Sequence, residues 1–156
     1  MSVLTKLERL GELVDDVGEL NRKLILLVGL GRSGKTRLLR QLAANLALEP
    51  LNVSAILARR LATVPKEKRG FAVGEELREI CVRDRVGEAL LLDNLELLFD
   101  PGLQIHPLEL LKGLAHDKRV VAVWPGELRD DRLIYADLTH QEYCDYSRDG
   151  VVIFEI

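Results

Sequence analysis

The sequence predicts an α/β fold in three layers, with helices on both faces of a mainly parallel five-stranded sheet. Three observations carry this. Short apolar runs at 24–28, 51–56, 89–93, 120–124 and 151–154 have the length and density of buried strands. Between them, apolar residues return at three- and four-residue steps, the period of a helix with one face on a core. Strands that alternate with helices need crossover connections and therefore pair in parallel. A chain of 156 residues, 47% hydrophobic and 30% charged, is long enough for one packed domain and is neither disordered nor fibrous in composition.

The elements follow in order. Leu4, Leu7, Leu10, Leu13, Val14, Val17 and Leu20 place an amphipathic helix within residues 1–21, packed on the rest of a single domain spanning 1–156. Lys6, Glu8, Arg9, Glu12, Asp15 and Asp16 interrupt it, so it is not a signal peptide, and no segment reaches the roughly 20 apolar residues of a membrane span. The expected compartment is the cytoplasm, with no membrane partner. Leu24-Ile25-Leu26-Leu27-Val28, stopped by Gly29, reads as a buried parallel strand. Helical spacing resumes over 37–48 through Leu38, Leu39, Leu42 and Leu46. Residues 51–56 follow Pro50 as a second strand, and 73–86 mix charged and apolar residues as a helix does. Ala89-Leu90-Leu91-Leu92-Asp93 is an apolar run closing on a carboxylate. Residues 107–115 form a helix entered by proline at its first turn. The runs at 120–124, stopped by Pro125-Gly126, and at 151–154 complete the sheet.

One motif carries chemistry. Gly29-Leu30-Gly31-Arg32-Ser33-Gly34-Lys35-Thr36 fits G-x-x-x-x-G-K-[ST] without a mismatch and lies between a strand and a helix, the context a phosphate-binding P-loop requires. Glycines let backbone N–H groups converge on phosphate oxygens and the helix N-terminus adds its dipole. Lys35 reaches the terminal phosphates, and Thr36 offers a hydroxyl to magnesium. The residues expected at ATP are these eight and Arg37, which follows them in the helix. Asp93 ends its strand as a Walker B aspartate does, placed to hold the magnesium-bound water opposite Thr36. Asn94 and Glu96 are the polar residues just beyond it. Glu96 is the preferred base for water attack, with a solvated surface residue as the plain alternative, and Asn94 is also suited to cap the next segment.

The rest of the polar inventory is less pointed. Arg59, Arg60, Lys66, Lys68 and Arg69 concentrate positive charge within 57–70. They make a solvated surface, or an arginine supplied in trans to a bound triphosphate, with Arg59 or Arg60 as candidates, or a contact to a nucleic-acid backbone. The overall charge of −3 argues against a dedicated nucleic-acid binder. Cys81 and Cys144 are read as free thiols, and His106, His116 and His140 do not form a metal-ligand pattern. Trp124 stands at the strand end where nucleotides bind in open α/β sheets, and is either core or a contact to the phosphate end.

Together, residues 29–36, Leu57-Ala58-Arg59-Arg60-Leu61, residues 90–99 with Asp93, Asn94 and Glu96, the Trp124-Pro125-Gly126 turn, Tyr135-Ala136, His140, Glu142 and Tyr143 give the chain its resemblance. It resembles the BrxF family, the small P-loop proteins of type 3 BREX bacteriophage-exclusion systems, over most of its length. The resemblance implies an AAA+-like or RecA-like ATPase core in which a strand lies between the loop strand and the Walker B strand. It also implies work beside other phage-defence proteins that handle DNA. By position, Lys35, Thr36 and Asp93 would be the nucleotide and magnesium residues, with Glu96 or Asn94 near the attacking water. The chain departs from a full AAA+ pattern: Asn94 stands where a glutamate is usual, Trp124 stands near the place of a small polar sensor, and no helical lid follows the last strand, so a lid is expected from a neighbour.

The expectation is an ATP- and magnesium-dependent subunit of a BREX-type system, a homo-oligomer whose nucleotide state controls assembly or partner contacts. A small P-loop kinase and a binding module that holds ATP without turnover stay open. A GTPase is disfavoured by the absence of an Asn-Lys-x-Asp motif.

Overall fold

The computed structural model describes residues 5–17, 23–29, 34–83, 89–116, 118–135 and 144–156. Helix α1, Lys6–Val17, buries Leu10, Val14 and Val17 and is opened by a reciprocal cap in which Thr5 and Glu8 bond each other. It is followed by β1, Leu24–Val28, and α2, Lys35–Leu46. A two-residue strand β2, Leu51–Asn52, runs directly into α3, Val53–Leu61, and a short 3-10 turn leads to α4, Arg69–Arg83. Strand β3 is Ala89–Asp93, α5 is Pro107–Leu114 and β4 is Arg119–Val123. Three short strands follow, β5 Glu127–Arg129, β6 Arg132–Tyr135 and β7 Cys144–Ser147, before β8, Val152–Glu155.

The main sheet has the order β2-β3-β4-β1-β8, and every neighbouring pair is parallel. Leu24 faces Val120, Leu90 also faces Val120, and Ile25 faces Val152. Strand β4 thus lies between β1 and β3, as the sequence resemblance implied. Because all five strands run the same way, Gly29, Asp93 and Trp124, each at or just past a strand end, are brought to one edge.

Alternation along the strands splits the core into two layers. Leu24, Leu26, Leu90, Leu92, Val120 and Ala122 face the side packed by α3, α4 and α5. Ile25, Leu27, Leu91, Val121 and Val123 face α1 and α2 through Leu10, Val14, Leu38, Leu39 and Leu42. Strands buried on both faces read as continuous apolar runs, so these were legible in the sequence. Arg119 fastens α1 to β4 by donating to the Val14 carbonyl at 3.1 Å. No helix among the described residues is long and apolar enough to cross a membrane.

Two expectations are corrected. The strand over 51–56 is only Leu51–Asn52, because Asn52 caps a helix: its Oδ1 accepts from Ala55 N at 3.0 Å, and Val53, Leu57 and Leu61 then fall on one buried face. The second correction is an antiparallel sheet, β5-β6-β7, inserted between β4 and β8 where the sequence analysis placed no strands. Its first hairpin turns on Asp130 and Asp131, both at positive φ, a turn for which Asp-Asp is a weak sequence signal. The meander closes over the α3–α5 side, where Tyr135 stacks on Phe99 at 4.2 Å and Tyr146 packs edge-on to Trp124. The helix expected over 73–86 starts earlier, at Arg69, and residues 84–88 lie outside the described residues.

Candidate nucleotide site at the sheet edge

Gly34 precedes α2 with φ of +93°, a left-handed conformation that glycine adopts without strain. Among the described residues no side chain caps this helix, and no acidic residue stands in its first turn, an arrangement that suits an anion at the first-turn N–H groups. Leu30, Gly31, Arg32 and Ser33, the middle of the loop, lie outside the described residues, while Gly29 and Gly34 bracket it.

Lys35, in the first turn of α2, is half-buried and points across the ends of the strands. Its Nζ donates to the Trp124 carbonyl at 2.9 Å and the Gly126 carbonyl at 3.3 Å. Burial lowers its pKa from the ordinary lysine value, against the opposing pull of Glu96, then Asp93 and Glu127, whose charges favour the ammonium. Glu127 was not singled out in the sequence; the hairpin after β4 brings it here, where it also pairs with Arg129. The carbonyls of residues 124 and 126 were also missed, since backbone acceptors leave no mark in side-chain spacing.

Thr36 Oγ1 donates to Asp93 Oδ1 at 3.2 Å, joining the start of α2 to the end of β3 across the edge of β4. The same carboxylate oxygen accepts the Asn94 N–H at 2.8 Å. A hydroxyl and a carboxylate side by side, with a lysine ammonium close by, are hard-oxygen donors of the type magnesium takes.

Asn94 has a structural task. Its φ is +56°, its Nδ2 donates to Asn52 Oδ1 at 3.0 Å, and its carbonyl accepts from both Ser54 N and Ser54 Oγ, at 2.9 and 2.6 Å. Ser54 Oγ in turn accepts the Leu97 N–H at 2.9 Å. The start of α3 therefore shapes the turn that presents Glu96, which is exposed at the first residue of a 3-10 segment, Glu96–Phe99. Asn52 and Ser54 escaped the sequence analysis because 51–56 read as a strand; an Asn directly before a helical period is the signal that locates them. Asn94→Ala is expected to cost about 2 kcal/mol, through the lost amide bond and a side chain forced to positive φ. Asn94→Gly loses only the bond and costs about 1 kcal/mol. Urea unfolding of the two variants checks the difference.

The other candidates lie elsewhere. Arg60 is held within the chain by Glu76 and Glu79, at 3.0 and 3.1 Å, and the hydrogen bonds its guanidinium donates to these carboxylates raise its pKa above the ordinary arginine value. Within the single chain it is engaged in cis. Arg59 is exposed on the last turn of α3, and six residues at about 1.5 Å rise put it roughly 9 Å along the axis from the end of α3 that meets Asn94. Arg69 Nε donates to the Val64 carbonyl at 3.0 Å, whereas Lys66 and Lys68 are exposed. Trp124 is core: its side chain is 0% exposed and its Nε1 donates to the Ile134 carbonyl at 3.1 Å, so only its backbone reaches the site. His106 caps α5 by accepting the Glu109 N–H. Ala136, His140, Glu142 and Tyr143 lie outside the described residues.

Beside Gly34, a cleft of about 420 Å³ opens between the first turn of α1, the first turns of α2 and Ile156. Leu7, Leu38 and Ile156 supply apolar lining, and Arg37 and Gln41 supply polar groups. Its volume falls in the range of small-ligand clefts.

Fold and site together define an α/β protein whose parallel sheet ends in a half-buried lysine set against a hydroxyl–carboxylate pair. No family model, no curated protein and no solved structure matches the chain.

Proposed function

We propose that the chain is a P-loop, AAA+-like ATP-binding protein that uses magnesium, and that it serves as a subunit of a BREX-type phage-defence system in which nucleotide state controls assembly or contacts with other defence proteins. The observation that carries the nucleotide part is the Thr36–Asp93 hydrogen bond at 3.2 Å beside Lys35. These residues were singled out from a loop motif and a strand end 57 positions apart, and such a pair needs proximity before it can share one metal ion. The defence-system part rests on the ordered resemblance of the sequence, from residues 29–36 through the Trp124-Pro125-Gly126 turn.

Thr36 and Asp93 would hold magnesium, directly and through water, and Lys35 would exchange its two carbonyl acceptors for phosphate oxygens. The bound ion supplies charge neutralisation across the β- and γ-phosphates. The cleft beside Gly34 has room for the nucleoside end. Glu96 would orient a water, and its charge is the first of those that oppose the lowering of the Lys35 pKa by burial.

A second reading is favoured by Asn94: no carboxylate follows Asp93, and the amide in its place is tied to Asn52. On this reading the protein holds ATP as a regulatory module with little or no turnover. One experiment separates the two. Calorimetric titration with ATP should give heat that strengthens with magnesium, and a phosphate-release assay on the same sample, alone and with candidate partners, reads turnover. Binding with release supports the ATPase, binding without release supports the module, and no heat with ATP at millimolar concentration overturns both.

A further inference from the structure

We infer that the outward face of α4 is a self-docking surface on which a second copy of this chain packs antiparallel. This goes beyond the nucleotide reading and does not rest on it. The inner stripe of α4 is Val73, Leu77 and Ile80, all buried. Two positions earlier, about 200° around the helix, stand Phe71, Glu75 and Arg78, with Val82 one step further on; all four are exposed. Phe71 is 89% and Val82 63% exposed, and both are large apolar groups left in water at opposite ends of one stripe. Glu75 and Arg78, between them, make no hydrogen bond or ion pair among the described residues. By contrast their neighbours Glu76 and Glu79 are both engaged by Arg60.

The spacing of this stripe, four then three then four residues, is that of a two-heptad helix seam. Its chemistry reads apolar, acidic, basic, apolar, so reversing the direction exchanges acid for base. A twofold axis midway between Glu76 and Leu77 sets Phe71 against Val82 of the second copy and Glu75 against its Arg78, and symmetry repeats both contacts. A parallel arrangement would face Glu75 with Glu75 and Arg78 with Arg78, which like-charge repulsion disfavours. Charge complementarity therefore selects both the occupant and its direction. Arg60, bridging to Glu76 and Glu79, neutralises the acidic side of the helix that would flank this seam.

Four residues from each copy make a small interface, and sedimentation velocity should show a reversible monomer–dimer equilibrium with Kd on the order of 10–100 µM. Glu75→Arg and Arg78→Glu should each raise Kd at least about tenfold, because each variant faces itself with two like-charged pairs. Mixing the two variants should restore dimerisation to within roughly threefold of the parent, since every pair is then of opposite sign. Phe71→Ser should also weaken self-association about tenfold. The substituted positions are solvent-facing, so circular dichroism melts should stay within about 2 °C of the parent. A parent that stays monomeric to roughly ten times that range, single charge reversals that leave the dimer intact, or a mixture that fails to regain it would each overturn the inference.

Discussion

Replacing Lys35 with alanine is expected to lower the affinity for ATP at least about 100-fold while leaving the fold in place. Among the described residues, the Lys35 ammonium is the cationic group seated against the Trp124 and Gly126 carbonyls, at 2.9 and 3.3 Å. Both acceptors are neutral backbone oxygens, and triphosphate oxygens are charged, so the exchange favours the ligand by about 1.5–3 kcal/mol per charge-assisted bond. Two such bonds account for the predicted loss. Folding stability should change little, since the variant gives up two hydrogen bonds but also removes the cost of burying a charge. The pH dependence has a definite sign. Burial lowers the Lys35 pKa in the free protein, and phosphate favours the charged form, so binding at alkaline pH takes up a proton. Affinity should therefore weaken as the pH rises, beginning below the ordinary lysine range. Calorimetry of parent and variant across pH, with a thermal melt of each, checks all three statements. An unchanged affinity in the alanine variant would show that the phosphates bind elsewhere.

Gly126→Ala is expected to destabilise the protein by about 3 kcal/mol or more, the largest effect we anticipate for the removal of no interaction at all. A Cβ at this position would lie 1.7 Å from the Ile134 carbonyl oxygen, 2.8 Å from its carbon and 3.0 Å from Trp124 Nε1. None of these atoms can step aside cheaply. The Ile134 carbonyl accepts from the Trp124 indole, and Ile134 pairs with Glu127 at the start of the β5–β6 hairpin. A shift there unseats the indole, whose side chain is wholly buried, and moves the Gly126 carbonyl that holds Lys35. The melting midpoint should fall by roughly 6–12 °C, given the 2–4 °C per kcal/mol of a domain of this size. ATP affinity should fall with it. Gly113→Ala, in α5 where a Cβ meets nothing within 4 Å, is the control, and it should be neutral or stabilising by up to about 1 kcal/mol.

The two predictions concern one construction. The turn after β4 is at once the corner that admits an antiparallel hairpin over the core and the source of the carbonyls that seat the lysine. A defect in packing on the Trp124 side is thus transmitted to the Lys35 side chain through two residues of backbone.

Much of this architecture was legible without coordinates. The central strands could be read because a strand buried on both faces is apolar throughout, as 24–28, 89–93 and 120–124 are, and the loop motif could be read because its glycines and lysine are contiguous. The misreading of 51–56 has a specific origin. Val53 and Ile56 are β-branched and favour strands locally, but the Asn52 cap and burial of Val53, Leu57 and Leu61 together outweigh that preference. The meander escaped because its strands are short, carry charge at Glu127, Arg129, Arg132 and Asp145, and are buried mostly through Leu133 and Ile134.

By itself the sequence determined the central buried strands at 24–28, 89–93 and 120–124 and which eight residues form the glycine loop, because apolar runs and motif spacing are properties of neighbours along the chain. Only the tertiary structure decided that Thr36 meets Asp93, that Lys35 rests on carbonyls 89 and 91 residues away, that Asn94 is locked by Asn52, and that Arg60 is committed to α4. Those contacts depend on strand order and on where each helix returns to the sheet, and that order is set by the joint burial of distant apolar faces, which no local window of residues contains.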